Sequence, residues 1–103
     1  LSDSQPVPVT VEKIIQEVAR TYGITEEDIR SNKRDSTTSK ARQAAMYIVR
    51  EVTGLPMKVI GDEFGGRDHS TVLYTPTKIE KEMEKNPSLK ATISDTIKNI
   101  QDQ

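Results

Sequence analysis

Cysteine and tryptophan are absent from this sequence of 103 residues, and aromatic side chains make up only 4% of it. Without cysteine the chain forms no disulfide, holds no zinc through thiolates and has no cysteine nucleophile. With a single Phe and three Tyr, the core must come from Ile, Val, Leu, Met and Ala, the usual filling of a small helical bundle. A chain of this length makes about one domain with a modest core, which excludes a multidomain enzyme.

Long apolar runs are also lacking, because no stretch reaches the roughly 18 apolar residues of a membrane-spanning helix. The first ten residues are polar and include Pro6 and Pro8, so we expect neither a signal peptide nor a helix there. We interpret residues 1–8 as a linker stub and residues 9–103 as one domain. A cytoplasmic location without membrane contact is expected.

The chain has almost no net charge, with a formal value of −1 at pH 7. This value argues against a nucleic-acid binder, which needs an excess of cations to neutralise phosphates. The distribution of the charge gives the opposite indication. Residues 30–50 carry six basic residues and one acid, a net charge of +5, whereas residues 1–29 carry −4 and residues 51–103 carry −2. Such a cluster is typical of a phosphate-facing patch, and a solvated basic face is the alternative interpretation.

Apolar residues recur at helical intervals along most of the chain, and no segment shows the alternation of a strand. The first helix is expected to begin after Thr10 and stop at Gly23, and a short second helix opens at Thr25. Residues 31–39 contain no apolar side chain and predict a loop. The other four helices are expected at about 40–53, 56–64, 69–83 and 88–100.

Helical spacing also predicts which side chains form the core. The expected inward residues are Val11, Ile14, Ile15, Val18, Ala19, Tyr22, Ile29, Ala41, Ala45, Ile48, Val49, Val52, Val59, Ile60, Phe64, Val72, Leu73, Ile79, Met83, Leu89, Ile93, Ile97 and Ile100. Arg42, Gln43 and Arg50 are expected to project from the other positions of the third helix.

A short turn between the fourth and fifth helices suggests a helix-turn-helix. Gly65 and Gly66 end the fourth helix, and Asp68 is a candidate N-cap of the fifth. Within the fifth helix, Pro76 removes the hydrogen bond to the carbonyl four residues earlier. We therefore expect a bend or a break near Thr75 and Pro76, with Thr75 as the cap of a new helix if the first one breaks.

Small polar side chains occupy the start of the fifth helix, the end that faces DNA in helix-turn-helix proteins. Its free N–H groups favour a phosphate, the hydroxyls of Ser70 and Thr71 suit a phosphate or a thymine methyl, and Asp68 can accept from cytosine. The alternative is that Asp68 only caps the helix and that His69, the single histidine, is inert. We interpret the acids at 26–28 as helix capping and not as a metal site.

The residues Ile-Gly-Asp-Glu-Phe-Gly-Gly-Arg-Asp-His-Ser-Thr-Val-Leu at 60–73, followed by Lys78-Ile79-Glu80, resemble the signature of the C-terminal DNA-binding domain of the bacterial replication initiator DnaA. The similarity extends upstream to Lys33-Arg34 and Ala41-Arg42-Gln43 and covers about residues 9–100. It implies an all-α, six-helix bundle of the Trp-repressor-like type that reads short A·T-rich boxes of double-stranded DNA at the replication origin.

The resemblance also assigns roles to individual residues. Asp68, His69 and Ser70 would contact base edges in the major groove, Arg34 would enter the minor groove, and Arg42, Gln43, Arg67 and Thr71 would hold phosphates, with Lys40 and Arg50 as additions. No catalytic residue, metal or cofactor is implied for this chain, because ATP belongs to a separate ATPase module of the family. Association with the nucleoid is implied as well.

The sequence departs from the family in its diluted basic segment, where Asp35 to Thr38 stand in place of further arginines. Weaker and less salt-dependent DNA binding is therefore expected. Two other functions stay open, namely a protein-interaction module that docks replication regulators with weak DNA affinity, and a DnaA-like regulator outside replication. We expect a monomer, because the apolar stripe of the last helix is short enough to pack on its own domain.

Overall fold

The computed structural model describes residues 11–31, 35–64 and 69–101, without the side chains of residues 69–72. Within those ranges the chain forms six helices and no strand, so the all-α prediction is confirmed. The helices are α1 (Val11–Tyr22), α2 (Glu26–Arg30), α3 (Ser36–Thr53), α4 (Met57–Glu63), α5 (His69–Lys85) and α6 (Pro87–Gln101). The expected linker at residues 1–8 and the expected cap Thr10 lie outside the described residues.

The third helix is the centre of the bundle, because α3 packs against each of the other five helices. Its buried apolar residues are Ala41, Ala44, Ala45, Met46, Tyr47, Ile48 and Val49. Three alanines on one helix leave room for close neighbours on several sides. The core around them is aliphatic except for Tyr47 and the fully buried Phe64, as the composition predicts.

Two glycines and one threonine set helix boundaries where the sequence places them. Gly23 adopts φ 70°, and the following Ile24 N–H donates to Ala19 O at 3.0 Å, which closes α1. Gly54 ends α3 with φ 71°. Thr25 accepts a hydrogen bond from Asp28 N at 3.0 Å and caps α2. These boundary predictions are confirmed.

The beginning of α3 differs from the prediction, since residues 36–39 are helical where a loop was expected. Asp35 is the reason. Its carboxylate accepts hydrogen bonds from Thr38 N and Thr38 Oγ1, both at 3.0 Å, and thereby satisfies a free donor of the first turn. Thr38 is buried at 2% exposure, so a polar segment without apolar residues still packs as a helix.

Removal of this cap has a measurable cost. We expect Asp35→Ala to lower the free energy of unfolding by about 1 kcal/mol, the usual cost of losing a side-chain N-cap. Urea denaturation followed by circular dichroism measures it, with the exposed Thr37→Ala in the same turn as the matched control. An equal, near-zero effect of both changes would place the start of α3 at Lys40, as the sequence pattern suggested.

The inner faces of α4 and α5 also differ in part from the prediction. α4 buries Met57, Ile60 and Gly61, whereas Val59 is 40% exposed. Met57, Ile60, Gly61 and Phe64 are spaced three, one and three residues apart, which places them on one face of a helix. On α5, Ile79 is buried as expected, but Leu73 is 48% exposed.

Pro76 lies inside α5, which runs without interruption from His69 to Lys85. The predicted break with Thr75 as a new cap is therefore wrong, whereas a bend at this position stays a prediction. Both Thr75 and Pro76 are buried on the inner face of the helix. Burial of the proline ring contributes apolar area that offsets part of the lost backbone hydrogen bond.

Candidate nucleic-acid interface

The candidate interface lies where the end of α3 meets the beginning of α5. Arg50, close to the end of α3, lines the same groove as Leu73 in the first half of α5. At the opposite end, Lys40 and Gln43 line a groove with Glu82 of α5. The two helices therefore run antiparallel, and α3 brings Arg50 to the end of α5 that carries the predicted base-reading residues.

A groove of about 530 Å³ joins α3, α4 and α5 at this end. Its lining residues are Arg50, Gly54, Leu55, Pro56, Met57, Lys58 and Leu73. Arg50 and Lys58 are exposed cations that line this groove together with the half-exposed Leu73. Two cations beside an apolar side chain suit a sugar-phosphate backbone and a thymine methyl group.

The cation at Arg50 is only weakly held by the protein itself. Its NH1 atom lies 3.9 Å from a carboxylate oxygen of Glu51, and both side chains are more than two-fifths exposed. Exposed pairs of this kind contribute little to stability and are screened by salt. Arg50 can therefore exchange this carboxylate for a phosphate at small cost.

Lys40 and Gln43 lie at the far end of α5, in a groove of about 300 Å³. Lys40 is ten residues from Arg50, or about 15 Å along α3. Tyr22 lines the same groove, and its pKa is raised mainly by burial and to a smaller extent by the negative charge of Glu82. Lys40 is exposed and Gln43 is partly buried, so the structure places these two predicted phosphate contacts apart from Arg50.

The side chain of Arg42 is buried, with 6% exposed, although it was expected to project from α3. Its Nε donates to Ile29 O at 2.8 Å, and its NH2 donates to Ser31 O at 2.7 Å and to Asp28 O at 3.2 Å. These carbonyls belong to the last residues of α2 and to its C-cap, Ser31. In this position the guanidinium binds the protein backbone and is withdrawn from the surface that a phosphate would approach.

The remaining predicted contacts fall wholly or partly outside the described residues. Arg34, Arg67 and Asp68 lie outside them, and His69, Ser70 and Thr71 are described by their backbone alone. The backbone places these last three residues in the first turn of α5. Their individual roles stay predictions.

Lys58 is a candidate that sequence reasoning missed. It is exposed on α4 and shares the groove with Arg50. A signal was present, since Lys58 is the only cation between Gly54 and Arg67. Its significance depends on the packing of α4 against α3 and α5, which local periodicity does not define.

Other kinds of site find no support in the described part of the chain. Among those residues, no three His, Cys, Asp or Glu side chains come together as metal ligands would. Over the same ranges, no helix has the combined length and apolarity needed to cross a bilayer.

α4 packs against α5, and two cations line the groove beside the first half of α5, which is typical of helix-turn-helix domains of the DNA-binding class. Residues 11–79 match the family described as bacterial dnaA protein helix-turn-helix. Because the match covers about two thirds of the chain, the chain belongs to this family.

Similar proteins agree with this assignment. The chain is 42% identical to the chromosomal replication initiator protein DnaA of Thermodesulfovibrio yellowstonii over 93% of its own length, and 43% identical to that of Streptococcus mutans over 94%. It spans about a fifth of these proteins, namely 22% of each. A crystal structure of a DNA replication initiation factor superposes with a TM-score of 0.80 at 33% identity, covering 89% of this chain and 28% of that one.

Proposed function

We propose that this chain binds short A·T-rich boxes of double-stranded DNA at a replication origin and thereby anchors an initiator there. α5 enters the major groove with its first turn, where His69 and Ser70 stand, and Arg34 contacts the adjacent minor groove. The domain does no chemistry of its own. ATP and the assembly of several initiators on one origin belong to other parts of such a protein.

The observation that carries the proposal is the groove beside the first half of α5. Arg50 and Lys58 come from two different helices and line it together with Leu73. Leu73 and Tyr74 are 48% and 73% exposed, so the side of α5 that carries them does not pack in the core. A recognition helix likewise has an exposed face, and cations on neighbouring helices contact the phosphates beside it.

The family assignment gives independent support. The matched family is a helix-turn-helix domain, and the relatives carry the name of a chromosomal replication initiator. Arg50 and Lys58 would fix the register of the domain on the duplex, whereas the first turn of α5 would read the sequence. Lys40 and Gln43 would hold phosphates farther along the duplex.

Selection from random duplex DNA tests the proposal without assuming a box. The purified chain is incubated with a randomised library, and bound duplexes are amplified and sequenced over several rounds. Enrichment of one short A·T-rich motif is the expected result. A library without an enriched motif, together with steeply salt-sensitive binding, would favour the alternative of a protein-interaction module with weak DNA affinity.

Arg50→Ala tests the phosphate contact. We expect it to weaken binding to a selected box and to a scrambled duplex by the same factor, and to reduce the slope of log K against log salt by about 0.9, the value for one phosphate contact. Titrations at several salt concentrations measure both quantities. Lys90→Ala, which removes an exposed cation from α6, is the matched control and should leave the slope unchanged; an unchanged slope in Arg50→Ala itself would contradict the contact.

A further inference from the structure

The short helix α2 is held at its end by a buried arginine. Arg42 donates from Nε to Ile29 O at 2.8 Å and from NH2 to Ser31 O at 2.7 Å. A five-residue helix is too short to be stable by itself. The positive charge of Arg42 also favours the negative end of the helix dipole. Arg42 therefore fixes the point, Ser31, at which the chain leaves α2 toward Lys33 and Arg34.

A second arginine links α2 to the helix-turn-helix. Arg30 NH1 donates to Glu63 O at 2.8 Å and lies 3.7 Å from the Glu63 carboxylate. Glu63 is the last residue of α4 and Phe64 is its C-cap, and residues 65–68 connect them to α5 in the sequence. Arg30 therefore fixes the point at which the chain leaves α4.

We propose that Arg42 and Arg30 are positioning residues that use α2 to set the distance between the two points, Ser31 and the end of α4, from which the DNA-reading segments continue. One segment follows Ser31 and the other follows Glu63. Major-groove and minor-groove contacts succeed together only when the offset between the two segments matches the offset between adjacent grooves of the duplex. The proposal rests on the proposed function, because it takes both segments to contact DNA.

Both arginines count toward the +5 charge of residues 30–50, yet they are predicted to act without touching phosphate. Arg42 is buried against carbonyl oxygens, and Arg30 is turned toward the end of α4. Substituting a residue that displaces no counterions leaves the slope of log K against log salt unchanged. Loss of a phosphate contact lowers the magnitude of that slope by about 0.9. The slope therefore separates positioning from direct contact.

The test compares Arg30→Gln and Arg42→Lys with the parent chain on a selected box and on a scrambled duplex at several salt concentrations. We expect each change to weaken box binding by about 3- to 10-fold, the usual effect of one lost hydrogen bond. Binding to the scrambled duplex should change by less than about 2-fold, with both slopes unchanged. Glu63→Gln is the matched control, because the main-chain acceptor of Arg30 stays in place.

Amide hydrogen exchange without DNA gives a second readout. Ser31 N donates to Asp28 O and Phe64 N donates to Ile60 O, so these amides report on the two exit points. We expect faster exchange at Ser31 in Arg42→Lys and at Phe64 in Arg30→Gln, while core amides outside α2 and α4 keep their protection. The urea midpoint should fall only in Arg42→Lys, which loses buried hydrogen bonds.

The outcomes separate the two proposals. Unchanged exchange at both amides, a slope lowered by about 0.9 in either variant, or equal losses on both duplexes would overturn the positioning role. A parent chain that binds both duplexes equally would contradict the proposed function, and the exchange data would still decide whether α2 fixes the two exit points.

Discussion

Replacing Phe64 by alanine is expected to lower the free energy of unfolding by about 3–5 kcal/mol, the usual cost of truncating a buried aromatic ring. Phe64 is the only phenylalanine and is fully buried. It is the C-cap of α4 and therefore supports the end of this helix. Since a domain of this size is stable by about 5–15 kcal/mol, much of that stability would be lost. Urea denaturation followed by far-UV circular dichroism measures the change.

Val59→Ala is the matched control for Phe64→Ala, because it truncates an apolar side chain on α4 that is 40% exposed. We expect it to cost less than about 1 kcal/mol. If Val59→Ala cost as much as Phe64→Ala, the inner face of α4 would include Val59, as the sequence pattern first suggested, and the described packing of this helix would be contradicted.

His69→Ala is expected to weaken binding to a selected box by about 5- to 150-fold, or about 1–3 kcal/mol, and binding to scrambled DNA much less. His69 occupies the first turn of α5, and removal of a side chain that reads a base edge costs affinity only where the correct base is present. Arg34→Ala is expected to behave in the same way through the minor groove. Fluorescence anisotropy with labelled duplexes measures these differences.

The Lys90→Ala variant serves here as well, since it changes an exposed side chain on α6 and should leave the ratio between the two duplexes unaltered. An equal loss on box and scrambled duplexes in His69→Ala would mean that the residue holds a phosphate or supports folding. The proposed reading of base edges by the first turn of α5 would then be contradicted at this position.

Much of the fold follows from local chemistry that a sequence displays. Gly23 and Gly54 end helices at φ of 70° and 71°, values that favour glycine. Helical spacing also identified Ile14, Ile48 and Ile93 as core residues, and all three are buried. These features depend on neighbouring residues alone, and the six-helix arrangement follows from them together with the family resemblance.

The incorrect predictions come from contacts that apolar periodicity does not describe. A polar segment after Asp35 became the first turn of α3, because the cap and the burial of Thr38 outweigh the absence of apolar side chains. Arg42 was expected at the surface and is buried, because its carbonyl partners are 11 to 14 residues away in the chain. The Asp35 cap is a local contact that a search for apolar periodicity overlooks, whereas the burial of Thr38 and of Arg42 depends on tertiary packing.

The candidate site, too, is predictable from the sequence only in part. The short turn and the polar start of α5 were sufficient to predict a helix-turn-helix from the sequence. That Lys58, Arg50 and Leu73 line one groove depends on how three helices meet. Leu73 was assigned to the core because its position fits the helical repeat, yet it is half-exposed in the groove. Residues at such junctions of helices become candidates only when the packing is known.

The central claim, sequence-specific DNA binding by the first turn of α5, is tested most directly by the ratio of two affinities. The parent chain is titrated by fluorescence anisotropy against a DnaA-type box duplex and a scrambled duplex, each at two salt concentrations. A ratio of about a thousandfold or more is predicted, at the low end for specific DNA binders. Equal affinity for both duplexes, with no box enriched from random DNA, would contradict the claim.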